Sequence, residues 1–358
     1  MPDTTPDTRP ILAITMGDPA GIGSEITVKT LAEKEMYEIC RPLVIGDVCI
    51  MEDALRMCGS DARINAVTDP AEGRYELGTI DVYDCGVMSV EDLAYKKVTA
   101  KQGDAAFQYV AKAIELALAE RVDGTVTGPI NKESMNLGGH HYSGHTEIYG
   151  DLTGTKDYSM MLADGGFRVA HVSTHVSLRE ACDRVKTPRV LRVIQLSDEA
   201  LKQLGLERRR IGVCGLNPHC GEARMFGDED EDEIRPAIEE AVRQGIDAEG
   251  PIPADTIFSK MKGGMYDMVV TMYHDQGHIP TKLTGFHYDE KTNTWGQMAG
   301  VNITLGLPII RASVDHGTAF GKAGEGRANP QSLIEAVRIG AQFARGRNAA
   351  RAKTAVSA

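Results

Sequence analysis

Short apolar runs recur along most of this chain, each ending in glycine, proline or a polar residue and each followed by a stretch of helical periodicity. Ile11–Met16 (ILAITM) ends at the loop GDPAGIG, Gly17–Gly23, and a helix is expected from about Ser24 to Met36. The scheme returns with Leu43–Ile45 and a helix towards Met57, then with GTVTGP, FRVAHVS, RIGVCGLNP and YDMVVTMYHD. Asp104–Glu120 places Phe107, Val110, Ile114 and Leu118 at helical spacing. Strands alternating with helices predict an α/β fold whose sheets are mostly parallel and covered on both faces. Ligands of such folds bind beyond the carboxyl ends of the strands. Asp18, Asn131, His175, Asn217, His219, His274 and Asp275 are all expected there. Phe286–Gly300, which holds the single tryptophan, reads as a long loop or hairpin beside the site.

The 358 residues suit two domains or one large one, and 42% hydrophobic residues suffice for a substantial core. The formal net charge of −12, with no Lys/Arg-rich block, argues against nucleic acid as a partner. An anionic substrate would need a local basic cluster against that field. Seven dispersed cysteines without a C-x-x-C pair indicate reduced thiols and a cytoplasmic setting. The N-terminal MPDTTPDTRP lacks the apolar core of a signal peptide, and no apolar run approaches the ~20 residues that span a membrane. The first ten residues and the tail ARGRNAARAKTAVSA are expected to be mobile.

Three separate segments each carry a histidine near a strand end: HVSTH around His175, NPHCGE around His219 and YHDQG around His274. Singly, these are equally capping or turn residues. Together at one sheet edge they suggest a divalent cation, because neutral imidazole is the commonest ligand for such ions. Three protein ligands with an open position describe a catalytic site. His171 falls inside a strand pattern and is expected in the core. His278 faces either the pocket or a backbone group. GDPAGIG does not match the dinucleotide pattern G-x-G-x-x-G, and reads either as an anion-binding helix start or as a tight turn. SGHTE offers His145 and Thr146 for phosphate binding or for capping. Lys132, Lys282 and Arg311 are candidate cations for an anionic substrate. No serine-hydrolase elbow occurs.

The ordered segments TMGDPAGIGSEI, TGPINKE, GHTE, STH, GLNPHCGE, GPIPADTIF, YHDQG, GVNITLGLP and SVDHGTA resemble the 4-hydroxythreonine-4-phosphate dehydrogenase family of vitamin B6 synthesis, from about Ile11 to Arg345. GDPAGIGSEI and HGTAFGKAGEGRANP are similar to loops of isopropylmalate and isocitrate dehydrogenases. The resemblance implies two α/β/α domains with the active site in the cleft between them. Residues 1–133 with 300–358 would form the cofactor side, and 134–299 the metal, substrate and dimerisation side. It implies a homodimer whose metal site takes one histidine from the neighbouring subunit. It makes His175, His219 and His274 the metal ligands, with Asp255, Asp275 and Lys282 close to the chemistry. Substrate contacts fall on His145, Thr146, Lys282, Asn302 and Arg311. His316, Gly317, Thr318, Ala319 and Asn329 would hold NAD, or NADP. Zn, Co, Ni, Mg or Mn all suit the ligand set.

Two departures flank the substrate: His278-Ile279-Pro280 follows HDQG, and roughly ten extra residues lie between Lys282 and Asn302. They resemble a second branch that acts on four-carbon sugar acid phosphates. The activity implied is oxidative decarboxylation of D-threonate or D-erythronate 4-phosphate to dihydroxyacetone phosphate. The alternatives are 4-hydroxythreonine 4-phosphate and an unphosphorylated cis-dihydrodiol carboxylate.

Overall fold

The computed structural model describes residues 7–290, 294–298 and 300–357. Its strands are β1 (Ile11–Thr15), β2 (Arg41–Gly46), β3 (Arg63–Val67), β4 (Thr79–Asp84), β5 (Gly124–Thr127), β6 (Ser159–Asp164) and β7 (Phe167–His171). They continue with β8 (Ile211–Cys214), β9 (Ala248–Ile252), β10 (Met268–Thr271), β11 (Phe286–Asp289), β12 (Thr294–Met298), β13 (Val301–Leu305) and β14 (Arg311–Val314). The chain forms two compact units, residues 1–156 with 307–358 and residues 157–306.

In the first unit the strands lie in the order β3-β4-β2-β1-β5-β14, and every pairing is parallel. Leu12, Ala13, Ile14, Leu43, Val44, Ile45 and Val126 are fully buried, as strands covered on both faces require. In the second unit the order is β13-β6-β7-β10-β8-β9. There β13-β6 and β6-β7 are antiparallel, and the remaining pairings are parallel. The expected α/β class with mostly parallel sheets is therefore the class of the molecule. The second unit has a core of Phe167, Val169, Cys214, Ile252, Ile257, Met261, Tyr266 and Val269.

Several elements differ from expectation for physical reasons. The stretch expected as one helix from Ser24 to Met36 is two, Gly23–Thr30 and Lys34–Ile39. The long helix runs over Ala100–Leu118, with the Thr99 hydroxyl accepting from the Gln102 amide at its start. Its buried face is built on small residues, Ala105, Ala106, Ala113 and Ala117, beside Tyr109, Val110 and Ile114. Leu118 is exposed, and Phe107 stacks on the His140 ring at 3.8 Å between centroids. The C-terminal tail, expected to be mobile, continues the helix Gln331–Ser357. Its Ala/Arg composition favours helix, and Asn348 donates to the Asp123 carboxylate at 2.7 Å. Residues 1–6 of the expected mobile start lie outside the described residues, while Asp7 and Arg9 form an ion pair. Phe286–Gly300 contains the antiparallel hairpin β11-β12; Lys291, Thr292, Asn293 and Ala299 lie outside the described residues. Residues 134–156, expected with the metal-binding side, belong to the first unit. The Tyr149 hydroxyl in that segment donates to Thr125 Oγ1 of β5 at 2.8 Å.

Candidate active site

In the second unit, β7 and β10 run parallel with Thr271 opposite His171, so their carboxyl ends lie side by side. The loop after β7 carries His175, and His274 begins the helix His274–Gly285 shortly after β10. Their ring centroids are 5.8 Å apart with planes inclined by 44°. With metal–nitrogen bonds of about 2.1 Å, two imidazoles in a tetrahedral set have ring centres roughly 5 Å apart. The pair is thus within a small side-chain adjustment of sharing one cation. His274 Nδ1 bonds the Asp275 carboxylate at 2.7 Å. That fixes the tautomer and leaves Nε2 for a metal, the usual carboxylate–histidine arrangement. A cavity of about 460 Å3 opens here, lined by Thr174, His175, Ser177, Tyr273, His274 and Asp275.

Behind His274 the imidazoles form a stack. His278 lies 3.6 Å from the His274 ring and nearly parallel to it, and His171 lies 4.8 Å from His278. His278 Nδ1 bonds the His274 carbonyl at 3.0 Å, so of its two expected roles it takes the backbone one. Burial, with His171 and His274 nearby, pushes His278 down to about 3; burial pushes His171 down to about 4. Both are therefore neutral near pH 7. His171 is in the core as expected, 1% exposed. Gly277 makes the stack possible: a Cβ there would come within 2.4 Å of His171 Nε2. Lys282 follows on the same helix face at the spacing 274, 278, 282.

His219 leaves the end of β8, which pairs with β10 on its other edge. It opens a run of left-handed backbone, His219, Cys220, Gly221, Glu222, Ala223 and Arg224, with φ from 41° to 80°. Such a run is costly for non-glycine residues and persists where surrounding bonds impose it. The buried Asp230 carboxylate fixes the entry to this run, accepting from the Leu216 and Asn217 amides at 2.9 and 3.1 Å, and the Cys220 and Glu222 amides donate to the Asn217 and His219 carbonyls within it. Asp255 lies on this side, since its charge helps raise the Cys220 thiol, which burial foremost lifts to about 11. Within one chain the described residues gather no three His, Cys, Asp or Glu side chains into a metal centre. The structure brings His175 and His274 together, and leaves the exposed His219 apart from them.

The first unit holds the other cationic group. Arg311 opens β14 and is 3% exposed. Its guanidinium carbon sits 5.7 Å from the Tyr149 ring centroid, and burial lowers it to about 10. His145 begins the helix His145–Leu152, and its Nε2 is buried with no hydrogen-bond partner. Burial, then the Arg311 cation, holds His145 well below its usual range and so neutral. A buried ring nitrogen without a partner beside a buried guanidinium is a cradle for an anionic group. Thr146 is half-buried next to it.

Also in the first unit, residues 315–330 pass close to GDPAGIG. The Ile22 amide donates to the Thr318 carbonyl at 3.1 Å, and a Cβ on Gly21 would meet Thr318 at 2.8 Å. His316 bonds the Gly317 carbonyl, Ala319 is left-handed, and Asn329 Oδ1 accepts from the Gln331 amide at the start of the last helix. Lys29 donates to the carbonyls of Gly326 and Ala328 and pairs with Glu25, which accepts from the Ala328 amide.

The family described as pyridoxal phosphate biosynthetic protein PdxA matches residues 38–340. The chain belongs to the PdxA family. A relative from Cupriavidus necator named D-threonate 4-phosphate dehydrogenase is 47% identical over 339 residues, covering 94% of this chain and 98% of its own. The crystal structure of a 4-hydroxythreonine-4-phosphate dehydrogenase from Burkholderia phymatum is 45% identical. It has a TM-score of 0.82 and covers 94% of this chain and 99% of its own. Its namesake from Klebsiella pneumoniae is 41% identical, with the same TM-score and coverage. Like these PdxA relatives, the chain is a dehydrogenase acting on a hydroxyl-bearing carbon.

Against this PdxA frame, three residues not singled out for a role by the sequence, one of them inside YHDQG, matter to the site. Gln276 accepts from the Met272 amide and donates to the Gly215 carbonyl, both at 2.8 Å, tying the β10 loop to the β8 loop. Asp230 shapes the His219 turn, and Tyr149 lies under Arg311. None is visible from spacing, because each acts on a segment remote in sequence. Asn302 lies on β13 opposite Leu162, in the second unit with Lys282.

Proposed function

We propose that the chain catalyses NAD-linked, metal-dependent oxidation and decarboxylation of D-threonate or D-erythronate 4-phosphate to dihydroxyacetone phosphate. The observation that carries this reading is 47% identity to the D-threonate 4-phosphate dehydrogenase across nearly the full length of both chains. The paired His175 and His274 rings support a cation site, with His219 as a third ligand and a second copy of the chain completing it. The exposed Leu178, Met225, Phe226, Ile279 and Leu283, all on the unit that carries these histidines, support a homodimer.

A bound divalent ion would polarise the substrate hydroxyl on its third carbon, and NAD, or NADP, would accept the hydride. His316, Gly317, Thr318, Ala319 and Asn329 would hold the dinucleotide. Arg311, His145 and Thr146 hold an anionic group of the substrate, and Lys282 and Asn302 orient the rest. Asp275 is engaged by His274, which supports a role in keeping that ring in place; Asp255, Asp275 and Lys282 are the candidates to take the hydroxyl proton. Loss of hydride and proton gives the β-keto acid. The bond to the carboxyl carbon then breaks, carbon dioxide leaves, and the electron pair is quenched by a proton on the second carbon.

4-Hydroxythreonine 4-phosphate is the second reading, favoured by the names of the two structural relatives. His278, which stacks on His274, and the β11-β12 hairpin favour the first. An NADH-formation screen with threonate, erythronate and hydroxythreonine 4-phosphates, each with several divalent ions, separates them. NADH from hydroxythreonine 4-phosphate alone would overturn the proposal, as would turnover of an unphosphorylated dihydrodiol carboxylate.

A further inference from the structure

A second cavity, about 390 Å3, opens in the first unit where β1 and β2 begin, lined among others by Ile11, Arg41, Arg74, Tyr75 and Arg121. GDPAGIG and the residues 315–330 lie at the other end of these strands. Most of the charged groups around the cavity are paired, and Arg41 adds to the field on Asp7. Its carboxylates are already matched: Asp7 with Arg9, and Glu120 with Arg351 at 2.9 Å. Arg121 is matched as well, bonded to Asp69. Arg41 and Arg74, from segments 33 positions apart in sequence, face the cavity with no carboxylate at ion-pair distance among the described residues.

The Arg41 guanidinium is held by its surroundings, and for Arg74 it is the backbone that is fixed. Arg41 Nε donates to the Arg9 carbonyl at 2.8 Å, and its guanidinium carbon lies 5.7 Å from the Tyr75 ring centroid. The Arg74 and Tyr75 amides both donate to the Asp81 carboxylate, at 3.0 and 2.8 Å. The Tyr75 hydroxyl donates to the Pro70 carbonyl, and Tyr75 is held at φ 53°, a conformation bulky residues seldom adopt. Two guanidiniums without a close ion-pair partner, one held against Tyr75 and one carried on a fixed backbone, give this cavity donors for an anion in a chain of net charge −12.

We infer that this cavity binds a small phosphate-bearing anion, with Arg41 and Arg74 as its donors, independently of the substrate site. The test uses the full chain at constant ionic strength, with inorganic phosphate and glycerol 3-phosphate as probes. Binding is followed by calorimetry and located by hydrogen exchange. Both probes should protect residues 69–77 and 119–123. Arg74→Gln, an exposed and structurally mild change, should weaken binding on the order of tenfold, as loss of one charge-assisted contact does. Arg41→Gln should do the same with an unchanged melting temperature. A preference for inorganic phosphate or for the ester tells which source of phosphate the site serves. A change below threefold in Arg74→Gln overturns the inference. So does protection confined to the segments around His145 and Arg311.

Discussion

Acidifying the metal-free protein from about pH 7 towards pH 4 should unfold it through His171. The ring donates from Nδ1 to the Met160 carbonyl at 3.1 Å, and its Nε2 is buried beside Gly277 with no hydrogen-bond partner. Burial, partly offset by that hydrogen bond, brings it from 6.5 down to about 4. The unfolded chain takes up this proton near pH 6.5, and the folded chain only near pH 4. Between those values the unfolded state binds more protons, so stability is full above pH 6.5 and falls as the pH falls. The slope is about 1.4 kcal/mol per pH unit for one proton, or roughly 3 kcal/mol across the window. His278, brought down to about 3, acts in the same direction. Urea-unfolding midpoints near pH 7, 5.5 and 4.5 measure this for the native chain and for His171→Asn, whose amide keeps a donor for Met160. The variant should lose about one proton's worth of slope. Equal slopes in the two proteins would refute the assignment of the acid lability to His171.

Gly277→Ala forces a methyl against His171 Nε2 and should cost about 1–3 kcal/mol in urea unfolding, an overpacking penalty; an unchanged midpoint would contradict the packing. Asp275→Asn should weaken metal binding 10- to 100-fold, as loss of a carboxylate behind a ligand histidine typically does, read by equilibrium dialysis. Tyr149→Leu removes the ring beneath Arg311 and should raise KM for the phosphorylated substrate about five- to thirtyfold, the range of a desolvated cation–π contact. The KM for NAD should stay nearly constant, and equal changes in both would count against the anion-holding role of Arg311.

The strands were legible because buried parallel strands need continuous apolar runs, and ILAITM, RPLVIG and MVVT supply them. The positions of His175 and His274 at strand ends were legible for the same reason. Their adjacency is expected from a shared sheet edge, but the pairing of β7 with β10 that produces it, across some hundred intervening residues, is not written in either segment. Apolar periodicity over Asp104–Glu120 picks out Phe107 and Leu118, whereas the face that Ala100–Leu118 buries is rich in alanine, because close helix packing prefers small side chains. The three histidines look equivalent in sequence. They differ in the fold because His219 sits on a left-handed turn held by Asp230, while His274 opens a helix. The tail carries no apolar signal, yet its helix is fixed by polar anchors such as Asn348 to Asp123.

The bonds from Lys29 and Glu25 to Gly326 and Ala328 couple the first recognisable loop of the chain to nearly the last. Some three hundred residues of sequence separate two segments that behave as one mechanical piece. Any rearrangement of residues 315–330 must carry the GDPAGIG helix along with it, or first break the part-buried bolt between the Lys29 ammonium and the Glu25 carboxylate.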